Sequence, residues 1–299
     1  MLASNEWTIT LWRDSNNDDL IIPGFHHAPR FLVFGPFGYP KALNCRVLFN
    51  ISNQDSSQIY QKEDKFVLNY ENFPFGPTMP ISKLAEPQFG FLDNGALNVE
   101  YGIQIESILE KDGIWKFNFY DLIFNCDEKL DLITFQDMTF DYGFSLLHCP
   151  EQLLFFHSPY FKNNYCGYQA IRIPKSMNFR DFHTFLQVAH GVRWELLVKD
   201  LSNITLIAHH YNMWNVIRYC EAQLMQHKNL VRFRFDFRRT MKEVSFAIQY
   251  DMRHYLTCLL KTEHCSNRLE FSKWILENLE LESLSSEVMK MLAKKIFES

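Results

Sequence analysis

The chain has 299 residues, 47% of them hydrophobic and 22% charged, with a formal net charge of −5 and a pI near 6.1. That length predicts two or more domains, and the acidic balance speaks against nucleic acid or an anionic membrane surface as a partner. No run approaches the ~18 apolar residues of a spanning helix, and Met1-Leu2-Ala3-Ser4-Asn5-Glu6-Trp7 has neither a basic nor an apolar leader region. A soluble protein of the cytoplasm or nucleus is therefore expected. Seven cysteines, an odd number at scattered spacings, fit reduced thiols better than a disulfide framework.

Residues 6–106 read as strands and turns. Short β-prone runs at residues 7–12, 30–34, 45–51, 65–70 and 96–105 are separated by clusters such as Asp14-Ser15-Asn16-Asn17-Asp18 and Asp93-Asn94-Gly95. This spacing predicts an N-terminal antiparallel β-sandwich over residues 1–108. Leu109-Glu110-Lys111-Asp112-Gly113 then serves as a polar link, and residues 114–124 (IWKFNFYDLIF) open a second, α+β domain over 114–230.

Residues 146–161 (LLHCPEQLLFFHSPYF) pack a strand, a turn and an apolar helix into a short span. His148 stands before the turn, Cys149 and Pro150 open the helix, and Leu153, Leu154 and Phe156 fill one side of it. Ser158-Pro159-Tyr160-Phe161 closes it, because Pro after Ser fixes the backbone at the exit. Further on, Asn178 with Asp181 at its third position caps a helix bearing Phe182, Phe185, Leu186 and Ala189, stopped by Gly191. Ile204, Ile207, Ala208 and Tyr211 repeat that spacing, and Val216, Ile217, Cys220 and Leu224 form a third stripe. A helical extension over 231–299 is predicted from the stripes Met241, Val244, Ile248; Leu256, Leu259, Leu260; Phe271, Trp274, Ile275; and Val288, Met291, Leu292.

Chemistry-bearing patterns are sparse. His148 and Cys149 are adjacent on an extended chain and point apart, which defeats proton transfer between them. No nucleophile elbow, phosphate loop or zinc-protease helix occurs. His254 and Cys258, with His264 and Cys265 beyond, carry ligand types for zinc, but their order suits core thiols and surface histidines better. Residues 231–239 (VRFRFDFRR) alternate basic and aromatic side chains, as a single-stranded nucleic-acid surface would. The same period of two describes an edge strand, and the acidic whole favours that reading. No catalytic residue, metal or cofactor is expected.

Residues 146–161 resemble the heart of a BTB (POZ) domain: an apolar strand, a His, a Leu-rich helix and a Ser-Pro-Tyr-Phe sequence. Asp131-Leu132-Ile133-Thr134-Phe135 resembles that family's Asp-led inner strand, and Ile171-Arg172-Ile173-Pro174 its next short strand. Asp131, His148, Ser158, Pro159, Tyr160 and Phe161 are then the structural motif. Residues 64–84 and 89–106 are similar to the end of a MATH (TRAF-like) domain, most closely at a short strand Ile81-Ser82-Lys83-Leu84 and the turn Asp93-Asn94-Gly95. The first half departs from that family's pattern, so the domain is shortened or divergent. MATH followed by BTB is an arrangement abundant in nematodes and plants.

The resemblance implies a non-catalytic adaptor. Its BTB domain would homodimerise and recruit a cullin-three-type ubiquitin ligase scaffold, and its MATH-like domain would hold a target protein along a trough lined by Phe73 and Phe75, unless those rings are core. Family adaptors seat the cullin with an apolar residue, a spacer and an acidic residue. Residues 162–169 (KNNYCGYQ) offer only Tyr165 or Tyr168 for the apolar part and contain no carboxylate. The alternative is a BTB scaffold that assembles with itself or other BTB proteins in transcriptional or cytoskeletal complexes.

Overall fold

A computed structural model of the chain describes residues 8–14, 17–26, 41–54, 57–68, 76–110, 112–120, 132–137, 145–165, 170–230, 237–262, 265 and 267–298. The chain divides into two compact units, Met1–Leu132 with Leu146–Cys149, and Ile133–Ser145 with Pro150–Ser299.

The first unit is β-rich and antiparallel. Strands β1 (Thr8–Asp14) and β2 (Asn17–His26) form a hairpin, and β5 (Met79–Pro80) adds to β2. A second sheet runs in the order β4 (Ile59–Leu68), β3 (Ala42–Ser52), β8 (Val99–Leu109), β9 (Trp115–Phe117). In the central strand β3, Cys45, Val47, Phe49 and Ile51 are buried while Arg46, Leu48 and Asn50 lie on the other face at intermediate exposure, the period-two pattern of a half-buried strand. Leu43, Cys45, Val47, Phe49, Leu68 and Ile105 form one core cluster. Ile51 of β3, Met79 of β5 and Phe91 form another, so both sheets contribute to one interior. Each such side chain stabilises the unit by about 1.5–3 kcal/mol through removal from water.

The expected turn at Asp93-Asn94-Gly95 is present, joining β6 (Leu92–Asp93) to β7 (Ala96–Leu97) with φ of 50° at Asn94 and 81° at Gly95. Positive φ at both central positions is what a tight hairpin requires, and Asn-Gly supplies it at low steric cost.

Two expectations for this unit are corrected. Ile81-Ser82-Lys83-Leu84 is not a strand but most of a single helical turn, α1 (Ile81–Ala85), closed by Glu86 N–H donating to Ser82 O at 3.1 Å. Pro80 precedes it and Pro87 follows, which confines the run to one turn and denies it a ladder. In place of the expected polar link, Leu109 still belongs to β8 and the chain turns back on itself, with Gly113 at φ 82° and Glu110 N–H donating to Ile114 O at 3.1 Å. The chain thereby returns along β8 as β9, and Trp115–Phe117 belongs to the first unit's sheet. The expected strand at residues 30–34 lies outside the described residues.

In the second unit β10 (Leu132–Asp137) pairs in parallel with β12 (Ile171–Arg172), Phe135 opposite Ile171. Strand β11 (Ser145–Pro150), whose Leu146–Cys149 fall in the first unit, leads into the second unit's α2 (Glu151–His157) and α3 (Pro159–Asn164), followed by α4 (Phe179–Ala189), α5 (Val198–His210) and α6 (Trp214–Leu230). Asn178 caps α4 by accepting Arg180 N–H at 2.8 Å, and Gly191 at φ 90° follows its end. The apolar stripes read on α4, α5 and α6 are all buried.

The extension is helical: α7 (Phe237–Gln249), α8 (Arg253–Leu260), α9 (Arg268–Asn278) and α10 (Ser286–Glu298). Ile248, Trp274 and Met291 are only partly buried, at the margins of their stripes. Of the expected edge strand over 231–239, residues 231–236 lie outside the described residues and Phe237-Arg238-Arg239 open α7 instead. Their alternation is overridden by the helical stripe Met241, Val244, Ala247, all buried.

Candidate protein-interaction site

The motif read at residues 146–161 runs from the end of β11 into α2 and α3. His148 is buried and its N–H donates to Phe119 O at 2.7 Å. Cys149 is buried at the strand's end, and burial pushes its thiol well above the usual range, so it stays protonated and unreactive. The strand continues through Pro150, so α2 opens at Glu151 rather than at Cys149.

Helix α2 corrects a second expectation. Leu154 is fully buried, whereas Leu153 is 40% and Phe156 81% exposed. At about 100° per residue, Leu154 and Phe156 stand some 200° apart around the axis, so they cannot share a face. Leu154 seals the interior, and Phe156 with Leu153 presents an apolar surface to solvent.

Ser158 is a junction between two helices rather than an exit. It ends α2 through its N–H donating to Leu154 O at 2.9 Å, and begins α3 by accepting Phe161 N–H on Oγ at 3.2 Å. Its hydroxyl proton goes to the carbonyl of Tyr211, which follows α5. Pro159 occupies the first helical position, where its missing N–H costs nothing.

Behind this junction lies an aromatic core. The Phe161 ring stacks on Tyr211 at 4.9 Å, and Phe135, Phe182 and Phe185 complete the cluster. Tyr160 stands half-buried against Tyr211 at 5.2 Å and His210 at 5.8 Å. Such pairs are worth about 0.5–1.5 kcal/mol beyond their buried area. Burial drives the Tyr211 phenol above its ordinary range, with the nearby Tyr160 adding to the shift, so it stays neutral. The cluster packs Phe161 of α3 against Phe182 and Phe185 of α4 and the end of α5 at Tyr211.

Tyr165 ends α3, partly exposed and edge-on to Phe155 at 6.0 Å. Tyr168, Asp131, Phe73 and Phe75 lie outside the described residues, as does His264. Among the described residues no cluster of three His, Cys, Asp or Glu side chains is placed to hold a metal ion, and no helix is long and apolar enough to cross a membrane.

One buried charged side chain that holds elements of the second unit together escaped the sequence reading. Glu221, 2% exposed on α6, accepts N–H groups from His254 at 2.7 Å and Tyr255 at 3.1 Å, at the start of α8, and pairs with Arg218 at 2.8 Å. A carboxylate within the stripe Ile217, Cys220, Leu224 was its one signal, since a buried charge demands partners.

Compared with known proteins, residues 119–228 match the family model of the BTB/POZ domain, and no curated protein matches the chain. The matched span begins at Phe119, whose carbonyl holds His148, and includes the Ser158 junction, its aromatic core and Glu221. The part of the chain built around that junction is thus a BTB/POZ domain, a module for contact with other proteins.

Proposed function

We propose that the chain is a non-catalytic adaptor of the cytoplasm or nucleus. The BTB/POZ domain pairs with a second copy and docks a cullin-three-type ubiquitin ligase scaffold, while the N-terminal β-rich unit, read as a divergent MATH-like domain, selects the target protein, with Phe73 and Phe75 lining its trough. The observation that carries the self-association is Phe156, 81% exposed on a helix whose opposite side is sealed by Leu154. A large ring left in water beside a second apolar side chain marks a surface kept for a partner, and a symmetric pair buries the same patch twice.

Light scattering of the full chain tests this. The wild type is expected at twice the monomer mass, and Phe156→Glu as a folded monomer. A monomeric wild type at micromolar concentration, or a dimeric Phe156→Glu, sinks the proposed interface. The lack of any carboxylate in residues 162–169 favours a second reading, a BTB scaffold with no ligase attached. Affinity capture from cells separates the two: a cullin among the partners supports the adaptor, and BTB partners without one support the scaffold.

A further inference from the structure

The outer face of the β4-β3-β8 sheet carries a site that its own residues leave incomplete. The antiparallel register lays three rows across it: Lys65, Arg46, Gln104; then Glu63, Leu48, Gly102; then Gln61, Asn50, Glu100. These alternate with the buried Cys45, Val47 and Phe49, so they occupy the face turned away from the core. Gly102 puts no side chain in the middle row, and a cleft of about 140 Å³ opens there, walled by Arg46, Leu48, Glu63, Glu100 and Gln104.

Gln104 is 4% exposed, yet its side-chain carbonyl oxygen has no hydrogen-bond partner. Buried acceptors are almost always satisfied, so an orphan lining a cleft points to a donor that an occupant brings. Asn50 Oδ1, in the neighbouring row that ends in Glu100, is a second buried acceptor without a partner. Local cations do not fill the need. Arg46 is engaged by Glu63 and Glu106 at 3.3 Å each, and Lys65 by Glu106 at 3.4 Å. Asn50 uses its own amide proton on Glu100 at 2.8 Å.

What remains directed at the cleft is therefore acceptor chemistry, two carboxylates and an amide carbonyl, above an apolar floor of Leu48 and the Gly102 backbone. A phosphate or carboxylate ligand would meet the Glu63 and Glu100 carboxylates there, and Arg46, the cation in the wall, is already held by Glu63 and Glu106. An occupant needs an aliphatic stem and a head with several N–H donors. Guanidinium has five in a planar fork and reaches separated acceptors at once, whereas ammonium is a compact point.

We propose that this cleft binds an arginine side chain of a partner polypeptide, its stem over Leu48 and Gly102 and its guanidinium donating to the Glu63 and Glu100 carboxylates and, once the Gln104 amide turns toward it, to the Gln104 carbonyl. This goes beyond the adaptor reading and does not rest on the BTB/POZ assignment.

The test uses the full chain and three blocked tripeptide amides, acetyl-Gly-Arg-Gly-amide and its citrulline and lysine counterparts, titrated by ligand-observed saturation-transfer NMR. The arginine peptide is expected to bind saturably and the other two at least about tenfold more weakly. Gly102→Val fills the cleft without strain, because an added Cβ would sit 3.9 Å from Leu48 Cβ and a β-branched side chain suits a strand. It is expected to reduce binding at least about tenfold with the thermal midpoint unchanged or raised. Gln104→Leu removes the orphan acceptor and is expected to lose binding while raising the midpoint; it also decides the matter should Gly102→Val fail to fold. Absence of saturable binding up to about 10 mM, equal binding of the citrulline or lysine peptide, or undiminished binding by a folded cleft variant overturns the proposal.

Discussion

Ser158 joins three helices of the BTB/POZ domain through one residue. One hydroxyl caps α3 through Phe161 N–H and ties it to Tyr211 after α5, at a position that water does not reach. Ser158→Ala removes the donor to one buried carbonyl and the acceptor of one buried N–H, so a loss of about 2–4 kcal/mol is expected from urea denaturation. A loss below about 1 kcal/mol would mean that the helices hold the junction without it. Thiol chemistry is graded by burial at the same scale. Cys149 is raised well above its usual value, and burial pushes Cys220 up to about 12, whereas Cys258 is partly exposed. At pH 8 iodoacetamide should therefore modify Cys258 in the native chain and spare Cys149 and Cys220 until it is denatured, as read by peptide mass spectrometry.

At the scale of elements, the BTB/POZ domain and the helical extension are joined through the start of α8. That helix follows Met252, whose side chain offers no cap, so its first N–H groups need an acceptor from elsewhere. Glu221 of α6 provides it, and its negative charge also suits the positive end of the helix dipole. Arg218, bonded to Glu221 and to Asp251 O at 3.3 Å, partly balances that charge. Glu221→Ala should cost about 3 kcal/mol in chemical denaturation, because two buried N–H groups lose their acceptor. Glu221→Gln keeps an acceptor oxygen in place and should cost less, about 1–2 kcal/mol. Equal losses for both would show that charge, not hydrogen bonding, fixes α8.

For the molecule as a whole, the proposed adaptor role meets its sharpest test in residues 162–169. With Tyr165 partly exposed at the end of α3 and no carboxylate nearby in sequence, shape rather than charge would grip a cullin. Binding should be weak and nearly insensitive to salt, since few rim charges are screened. Gly167→Glu, with Tyr165 as the apolar residue and Cys166 as spacer, should tighten it by about tenfold, ~1.4 kcal/mol, in a calorimetric titration with the cullin N-terminal domain. Tight wild-type binding that salt weakens steeply would contradict this account.

What the amino-acid order determined by itself is local. The alternation of β3, the Asn94-Gly95 turn, the Asn178 cap with Gly191, the stripes of α4 to α6 and the Ser-Pro-Tyr-Phe sequence each act within a few residues, through backbone sterics and side-chain period. Tertiary structure decided the rest. Ile81-Ser82-Lys83-Leu84, held between Pro80 and Pro87, became a helical turn, and Trp115–Phe117 joined the second sheet because β8 offered it an edge. Phe156 turned outward because Leu154 had the interior, and Glu221 found its donors 33 and 34 residues along the chain. The cleft at Gly102 exists only in the register of three strands whose facing residues are distant in sequence. Local rules set which faces are apolar; which partner covers each face, and which polar group is left waiting, depends on contacts that sequence separation hides.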